Sequence, residues 1–348
     1  MNMKKVLFYY NNGEYYIELN ILTDKLMAVN DKGQLVCRLF HKGRNIIGVD
    51  WYNKIDYFIL RDNKYLHIGT DKDFDKEQTI LISIVDGIGN QMIQYAFALF
   101  LKKQGKNTKI DPRWFRQSNS YRKELLSKFN LLPELGFCSK HESSVFPVAK
   151  QEDNKNLCYG YDWSRIKEDI NLFGYWQDYQ YINGNEEDLR KAFYLKNQEL
   201  DENNKFLLDE IKSKNSVMIH IRRGDYFKYP ERYNVLDKSY YEKAIEIIKS
   251  KIENPYFYCF GEDVSWIKEN ISLSDNEYKI VDINLGDETK CIFDLELMKN
   301  CKHQIIANST FSWWSAILNN NKDKIVIAPK EWGNSFVKTI NNEEWIKI

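Results

Sequence analysis

Short apolar runs alternate with polar turns over residues 1–75. Runs such as VLFYY, YYIEL, LMAV and DYFIL are rich in aromatic and β-branched side chains, and the turns NNGE and NDKG separate them. Short runs divided by turns of this kind are typical of β-hairpins, and none of them has helical spacing. The pattern predicts a small N-terminal antiparallel β module over 1–75, followed by the charged linker TDKDFDKEQ at 70–78.

The pattern changes at residue 79. TILISIV has the continuous apolar character of a buried strand, and DGIGN is a glycine turn. QMIQYAFALFLKKQG has helical spacing, with lysines in its last turn before Gly105. Residues 106–200 mix short helical patterns with loops and predict no clear order of elements.

Strand-like and helix-like patterns alternate regularly from residue 216 onward. This alternation predicts a parallel sheet covered by helices on both faces. We therefore expect an α/β protein with two Rossmann-like lobes, a first lobe at 79–200 and a second lobe at 201–348, facing each other across a cleft. Ligands in such sheets bind at the carboxyl ends of strands. The predicted strands are VMIHI, YFYCF (256–260), YKIVDI (278–283), QIIAN (304–308) and KIVIAP (324–329), and the predicted helices lie near 238–251, 263–270, 288–301 and 311–319.

The composition supplies material for buried cores without a strong charge bias. A chain of 348 residues is long for one domain, and 43% hydrophobic residues exclude a disordered protein. The 50 lysines and arginines balance 50 aspartates and glutamates, so we expect no nucleic-acid partner. An anion site would have to be built from a few placed residues.

The cysteines and the first residues favour a cytoplasmic protein. None of the six cysteines forms a CxxC pair, so we expect reduced thiols, most of them in the core. The start MNMKKVLFYYNNGE has an apolar run too short for a signal peptide. Residues 78–101 carry little charge, but Asp86, Asn90 and Gln91 make a membrane span there unfavourable.

The stretch IHIRRGDYF concentrates charge at the end of a predicted strand. His220, Arg222, Arg223 and Asp225 follow one another within six residues. Two neighbouring guanidinium groups suit the oxygens of a diphosphate. The alternative is a surface ion-pair cluster between one arginine and Asp225, and spacing alone does not decide between the two interpretations.

The stretch IIANSTFSWWSAIL places polar groups between a strand and a helix. Asn308, Ser309 and Thr310 stand where the helix would begin. Hydroxyl groups and backbone N–H groups at a helix N-terminus can bind an anion without a metal. The alternative is a simple N-cap, the commonest role of serine or threonine at that place.

The turn DGIGNQMIQYA and the short acidic pairs give weaker signals. Gly87 and Gly89 precede a helix opened by Asn90, which indicates either a close backbone approach to a ligand or a tight strand–helix turn. Asp71 and Asp73 match the DxD pattern that can hold a metal on a nucleotide diphosphate, but they fall in the charged linker and favour a solvated loop. We therefore predict no metal site.

Together, these segments resemble the bacterial and animal α-1,2-fucosyltransferase family. The motifs that carry the resemblance are HIRRGDY, GIGNQMIQYAFA, GYWQDYQYI (174–182) and DLELMKNCKHQIIANSTFSWWSAIL (294–318), in the family's order over 78–348. The resemblance implies a GT-B-like fold, GDP-fucose as the donor substrate with no further cofactor, and inverting transfer that requires no metal. It implies the 2-hydroxyl of a terminal β-galactoside as the acceptor.

The resemblance also implies roles for single residues. His220, Arg222 and Asp225 match the family signature, and Arg222 and Arg223 are expected at the GDP phosphates. Further donor-binding residues and two residues facing the cleft follow from the other motifs. The expected donor-binding residues are Asn308, Ser309, Thr310 and Asp294, the last paired with Glu296, and the residues expected at the cleft are Asn90 and Gln91.

The chain departs from the family pattern at several places. Asp86 stands where the first-lobe motif usually has a glycine, and Ile93 stands where phenylalanine is common. FGEDV at 260–264 replaces the usual Ser-Asp-Asp, which puts a contact to the nucleotide base there in doubt. Residues 1–75 have no recognised counterpart.

Chemistry leaves the proton acceptor open. Inversion needs one displacement, so the enzyme has to supply no nucleophile, only a group that accepts the proton of the galactose hydroxyl. We predict Asp225 for this role, with Glu231 or no side chain as alternatives. A transferase with another donor or linkage, and a non-catalytic glycan-binding protein, are the competing hypotheses. Contact with the inner membrane face or with glycan-assembly enzymes is a further expectation.

Overall fold

The computed structural model divides the chain into two compact units that are each discontinuous in sequence. The first unit is Met1–Leu81, Ser139–Val148 and Asp162–Asn171, and the second is Ile82–Cys138, Ala149–Tyr161 and Leu172–Ile348. The three predicted domains, by contrast, are continuous segments. The structure describes residues 3–10, 15–22, 26–32, 34–43, 45–51, 55–61, 64–70, 78–116, 122–154, 157–166, 169–196, 200–333, 340 and 342–348.

The N-terminal segment forms a closed barrel, which corrects the prediction of a plain antiparallel β module. Neighbouring strands pair antiparallel from β1 to β7, and a parallel pairing of Phe8 with Tyr65 closes the barrel. Phe8 and Phe58 are fully buried inside it. Closure leaves no edge strand exposed, and so gives each strand a partner on both sides. The strands are β1 Met3–Tyr10, β2 Tyr15–Leu22, β3 Met27–Val29, β4 Leu35–Gly43, β5 Ile46–Asp50, β6 Ile55–Arg61 and β7 Lys64–Thr70.

A four-stranded sheet has the order β10-β11-β8-β9. Strand β8 is buried along its whole length, as its continuous apolar pattern predicts. After a short turn the helix α1, Ile88–Lys103, begins with Gly87 as its N-cap and ends with two lysines before Gly105, whose φ is +79°. The strands are β8 Thr79–Ser83, β9 Asn107–Asp111, β10 Val148–Lys150 and β11 Ile170–Phe173, and the next helices are α2 Lys140–Val145 and α3 Glu186–Ala192.

The second lobe is built on a parallel six-stranded sheet, as the alternating pattern predicts. Its order is β14-β13-β12-β15-β16-β17. In chain order this is 3-2-1-4-5-6, the order of a Rossmann fold. The strands are β12 Ser216–Ile221, β13 Tyr256–Gly261, β14 Tyr278–Val281, β15 His303–Ile305, β16 Val326–Ala328 and β17 Ile346–Lys347, and the helices are α4 Glu202–Ser213, α5 Lys238–Lys251, α6 Val264–Asn270, α7 Cys291–Asn300 and α8 Thr310–Leu318.

The strand order of this sheet reverses between β12 and β15. These two strands are hydrogen-bonded neighbours, with Ile219 opposite Ile305. A crevice opens where the chain leaves two such strands toward opposite sides, and ligands of α/β proteins bind there. The charged segment 219–227 and the polar segment 305–318 contain the carboxyl ends of these two strands and the residues that follow them. No helix within the described ranges combines the length and apolar character needed to cross a membrane.

Candidate active site

A cavity of about 540 Å³ lies at the carboxyl ends of β12 and β13, wholly within the second unit. It is lined by the first-lobe turn 86–90, by Arg122, and by second-lobe residues that follow strands. The cavity therefore lies between the first-lobe turn and the sheet of the second lobe. The predicted site residues that it brings together are Asn90, His220, Arg222, Asp225, Asp294, Ser309 and Thr310.

The glycine turn of the first lobe approaches the start of helix α8. A Cβ atom on Gly89 would lie 2.5 Å from Thr310 Oγ1 and 2.8 Å from the backbone nitrogen of Phe311, so only glycine fits. The Thr310 hydroxyl donates to Asn90 Oδ1 at 3.3 Å, and Trp314 Nε1 donates to the Gly89 carbonyl at 2.9 Å. The small residue at Gly89 is thus needed for helix–turn packing.

Two helices begin at this cavity. Helix α8 starts at Thr310, with the Ser309 hydroxyl accepting from the Phe311 N–H at 3.4 Å, so the N-cap interpretation holds. Helix α1 starts at Ile88 behind Gly87, without a side-chain cap. The positive ends of both helix dipoles therefore face the same space, which favours an anion there.

Arg222 is held between two carboxylates at the cavity wall. Its Nη1 donates to Glu262 Oε1 at 2.8 Å, and its Nη2 donates to Asp225 Oδ1. The guanidinium also lies 5.1 Å from the centre of the Tyr226 ring. The ion pair proposed as the alternative to a ligand site does form, and it lies inside the cavity.

Arg223 lies outside the residues that line the cavity. Its guanidinium packs 4.2 Å from the ring centre of Trp266 and 4.8 Å from that of Phe227, and its Nε lies 3.5 Å from Asp263 Oδ2. The structure therefore separates the two neighbouring arginines, which were expected together at the phosphates.

His220 is a neutral, buried side chain. Burial, together with the nearby Arg222, lowers its pKa to about 3. Its Nδ1 lies at hydrogen-bond distance, 2.9 Å, from Ser312 Oγ. An imidazole held this way carries no charge near neutral pH, so it can position a ligand but cannot balance phosphate charge.

Two predicted polar residues lie behind the cavity wall and act on the backbone. Asn308 Nδ2 donates to the carbonyl oxygens of Asn234 and Trp332, at 2.6 Å each. Gln91 Nε2 donates to the carbonyls of Asp86 and Lys123 at 2.8 Å each, and its Oε1 accepts from the N–H of Leu125 at 3.0 Å. Both amides are buried and fix loops that border the cavity.

The comparison with known proteins decides the family. The model for glycosyl transferase family 11 matches residues 70–348. The chain belongs to glycosyl transferase family 11. This confirms the resemblance given by the motifs, and the match begins where the barrel ends.

Curated relatives of this glycosyltransferase include α-1,2-transferases. An α-1,2-colitosyltransferase of Escherichia coli is 31% identical over 298 residues, covering 77% of this chain and 98% of that protein. The O-antigen biosynthesis glycosyltransferase WbnK of Escherichia coli is 29% identical, covering 75% and 98%. Human galactoside α-(1,2)-fucosyltransferase 1 is 30% identical over 141 residues, 38% of each chain. Among solved structures, the fucosyltransferase NodZ from Bradyrhizobium matches with a TM-score of 0.44 and 12% identity, covering 70% of this chain and 94% of that one.

Asp294 is a partly buried acid at the cavity of this glycosyltransferase. Burial raises its pKa to about 6, and a hydrogen bond from Asn284 Nδ2, at 2.7 Å, opposes that rise. Asn284 is in turn held by the amide of Asn204 at 2.9 Å. The carboxylate is thereby fixed in orientation, which suits an acceptor of ligand N–H or O–H donors.

The sequence analysis missed several residues that line the cavity. Arg122 lies in the segment without a clear period, and no motif marks it. Asp86 was not predicted as a site residue, yet it lines the cavity, and its φ of +66° places it in the left-handed region that favours glycine. Glu231, the alternative base, is 64% exposed and does not line the cavity. The further residues missed are Arg232, Glu262, Asp287 and Glu288.

Carboxylates outnumber guanidinium groups around the cavity. Three arginines face six acidic side chains along the lining. Within the described ranges no three histidine, cysteine, aspartate or glutamate side chains cluster in a way that could hold a metal ion. Asp71 and Asp73 lie outside the described residues. The arginines are Arg122, Arg222 and Arg232, and the acids are Asp86, Asp225, Glu262, Asp287, Glu288 and Asp294.

Proposed function

We propose that this glycosyltransferase transfers L-fucose from GDP-fucose to the 2-hydroxyl of a terminal β-galactoside, with inversion and without a required metal. The observation that carries the proposal is one cavity in which Arg222, the N-terminus of α8 and the carboxylate of Asp225 meet. The activities named for the relatives, α-1,2 transfer of colitose and α-(1,2) transfer of fucose to galactosides, support it.

The diphosphate would lie against Arg222 and the first turn of α8. The departing GDP gains negative charge as the bond to the sugar breaks, and fixed positive groups lower the energy of that state. Arg222 offers a planar fork, and the Ser309 and Thr310 hydroxyls lie at the positive end of the helix. These groups supply the stabilisation that a metal ion supplies in other transferases.

The excess of acids suits the rest of the donor. A guanine base and sugar hydroxyls carry hydrogen-bond donors, which carboxylates accept. Asp294, partly buried and held by Asn284, is placed for such a contact. In this proposal Arg222 binds the phosphates and Asp294 binds the base or the sugar.

Asp225 is the proposed proton acceptor. It lines the cavity and its side chain is 41% exposed, so an acceptor hydroxyl can reach it. Its hydrogen bond from Arg222 fixes the orientation of the carboxylate. The galactose O2 would attack the anomeric carbon from the face opposite to GDP, the bond to GDP would break, and Asp225 would take the hydroxyl proton.

A colitosyl donor is the second candidate. The 31% identity to a colitosyltransferase over 77% of this chain favours it. Colitose lacks the 3-hydroxyl of fucose, so the two donors differ by one hydrogen-bonding group. A donor comparison with GDP-fucose and GDP-colitose at equal acceptor concentration decides between them by the ratio of kcat/KM. Family membership argues against the competing hypothesis of a non-catalytic glycan-binding protein.

The deciding experiment measures GDP release from GDP-fucose with lactose or N-acetyllactosamine, with and without excess EDTA. We expect acceptor-dependent release that EDTA leaves unchanged, and an α-1,2 linkage in the product by NMR. Release abolished by EDTA would contradict the metal-independent mechanism. Tight GDP binding without release on any galactoside would contradict the acceptor. Cytoplasmic location and contact with the membrane face or glycan-assembly enzymes stay predictions.

A further inference from the structure

Arg122 brings a guanidinium from the first lobe into the cavity. It precedes the short helical turn Leu126–Lys128 and lines the same space as Arg222. Its Nη1 lies 3.4 Å from Glu288 Oε1, and its Nη2 lies 3.9 Å from Asp225 Oδ2. Its Nε lies 3.7 Å from Asp86 Oδ1. One side chain therefore faces carboxylates of both lobes.

The loop that carries Arg122 is fixed from behind. The buried amide of Gln91 donates to the Lys123 carbonyl at 2.8 Å and accepts from the Leu125 N–H at 3.0 Å. Gln91 itself lies on helix α1, which begins at the cavity. The backbone next to Arg122 is thus tied to the helix whose N-terminus faces the ligand space, so the guanidinium is directed before any ligand binds.

Carboxylate oxygens of Glu288, Asp86 and Asp225 lie 3.4, 3.7 and 3.9 Å from the guanidinium of Arg122. Arg122 therefore already contacts anionic oxygens at the cavity, the kind of group that a phosphate also presents. Its side chain is 26% exposed, against 63% for Arg232, so its contact with an anion is less screened by water.

The charge of a nucleoside diphosphate requires a second cation in this cavity. Arg223 packs on Trp266 instead of lining it, which leaves Arg222 as the arginine of the paired motif that reaches the cavity. Phosphate oxygens next to six acids need more than one guanidinium to offset the repulsion. Arg122 lines the cavity and is well enclosed, which makes it the second guanidinium available to the phosphates.

We propose that Arg122 is the second guanidinium of the donor-diphosphate site and that it exchanges its contacts with Asp225 and Glu288 for phosphate oxygens when the donor binds. The diphosphate then joins the two lobes, with Arg222 on one side and Arg122 on the other. The release of Asp225 from Arg122 leaves that carboxylate turned toward the acceptor. This inference rests on the proposed function, because it takes GDP-sugar as the ligand.

The test compares the binding of GDP and of guanosine to Arg122→Gln, Arg122→Lys and the wild type by ligand-observed NMR. Arg122→Gln is expected to weaken GDP binding about 10- to 100-fold, the loss of one to two charge-assisted hydrogen bonds, and to leave guanosine binding unchanged. The GDP affinity of Arg122→Lys is expected to lie between those of Arg122→Gln and the wild type, because an ammonium keeps the charge but cannot form two parallel hydrogen bonds as a guanidinium does. In transfer assays, KM for GDP-fucose rises and KM for the acceptor stays.

The matched control is Arg113→Gln. Arg113 is another first-lobe arginine, 30% exposed and 3.3 Å from Asp111, but it does not line the cavity. The Arg113→Gln variant is expected to bind GDP with wild-type affinity. This control shows that removing a first-lobe guanidinium does not by itself weaken nucleotide binding.

The outcomes separate this inference from the proposed function. Wild-type affinity for GDP in Arg122→Gln, with transfer intact, overturns the role of Arg122 and leaves the function standing. An equal loss of GDP and guanosine binding overturns the phosphate contact and assigns Arg122 a structural role. A wild type that binds no GDP overturns both. If Arg122→Gln does not fold, Arg122→Lys decides by the same comparison of GDP with guanosine.

Discussion

The two lobes supply the cavity in different ways. In the second lobe, Arg222 and Ser309 follow β12 and β15, and the neighbouring position of these parallel strands brings them together. In the first lobe, Arg122 comes from a loop that one buried amide, Gln91, ties to a helix. Sheet topology therefore places the second-lobe groups, whereas single side-chain contacts place those of the first lobe.

The sharpest test of topological placement is the pair Arg222→Lys and Arg223→Lys. Arg222→Lys is expected to reduce kcat/KM for transfer more than 10-fold, because one ammonium cannot replace a guanidinium that binds two partners at once. Arg223→Lys is expected to retain most transfer, since Arg223 packs on Trp266 outside the cavity. Steady-state kinetics with GDP-fucose as the varied substrate measure both.

Transfer above about a tenth of the wild-type rate in Arg222→Lys would contradict the role of Arg222. An equal loss of kcat/KM in both variants would show that lining the cavity does not make Arg222 more important for transfer than Arg223. The melting temperature of each variant serves as the control for folding, because Arg223 contributes to packing.

The contrast between Arg222 and Arg223 comes from the way the chain leaves β12. Arg223, with φ −129° and ψ −78°, is the N-cap of the short helical turn Gly224–Lys228, so the chain is no longer extended there. The family motif predicted the two arginines together at the phosphates, and the spacing of residues does not show this turn. The strands of the second lobe and their parallel arrangement, but not their order, followed from the alternation of apolar runs and helical patterns after residue 216.

The remaining surprises depend on contacts between residues far apart in the chain. The position of Arg122 depends on contacts with Gln91 and with carboxylates of the other lobe. No periodic pattern in the sequence indicates these contacts. Barrel closure depends on the pairing of Phe8 in β1 with Tyr65 in β7, the first and last strands of the module. Local pattern predicts the strands but not which of them meet.

Asp294 gives a pH test of the acidic part of the second lobe. Its pKa in the folded protein, raised by burial from 3.8 to about 6, means that the folded state binds the proton more tightly than the unfolded chain. Stability from this group is full below about pH 4 and is lost as the pH rises through about 6. Between pH 4 and 7 the wild type should therefore lose roughly 2–3 kcal/mol relative to Asp294→Asn.

Urea unfolding of both proteins at pH 4, 5.5 and 7 measures this difference. Asp294→Asn keeps an oxygen that accepts from Asn284, so that hydrogen bond is conserved. Glu296→Gln changes another acid on the same helix, outside this cavity, and serves as the control. A pH-independent difference between wild type and Asp294→Asn would contradict a raised pKa.

Gly89 tests the packing between the first-lobe turn and α8. Gly89→Ala places a methyl group 2.5 Å from Thr310 Oγ1 and 2.8 Å from backbone, so the turn and the helix must move apart. The expected loss in the free energy of unfolding is about 1–3 kcal/mol, with a parallel loss of transfer. Gly136→Ala is the matched control, because Gly136 lies outside the cavity lining, has no left-handed φ, and a Cβ there meets nothing within 4 Å. Equal stability of the two variants by chemical denaturation would show that the approach at Gly89 is not tight.

Two substitutions of Ser309 distinguish helix capping from ligand binding, with the smallest expected change in the free energy of unfolding. Ser309→Ala removes both the cap of α8 and a cavity hydroxyl, and should lower the free energy of unfolding by about 1 kcal/mol. Ser309→Gly removes the same hydroxyl, but glycine at an N-cap costs only a few tenths of a kcal/mol. If the hydroxyl binds the donor, both variants raise KM for GDP-fucose equally although their stabilities differ. If transfer follows stability instead, so that Ser309→Gly works nearly as well as the wild type, the side chain serves the helix and the backbone N–H groups of α8 bind the phosphate.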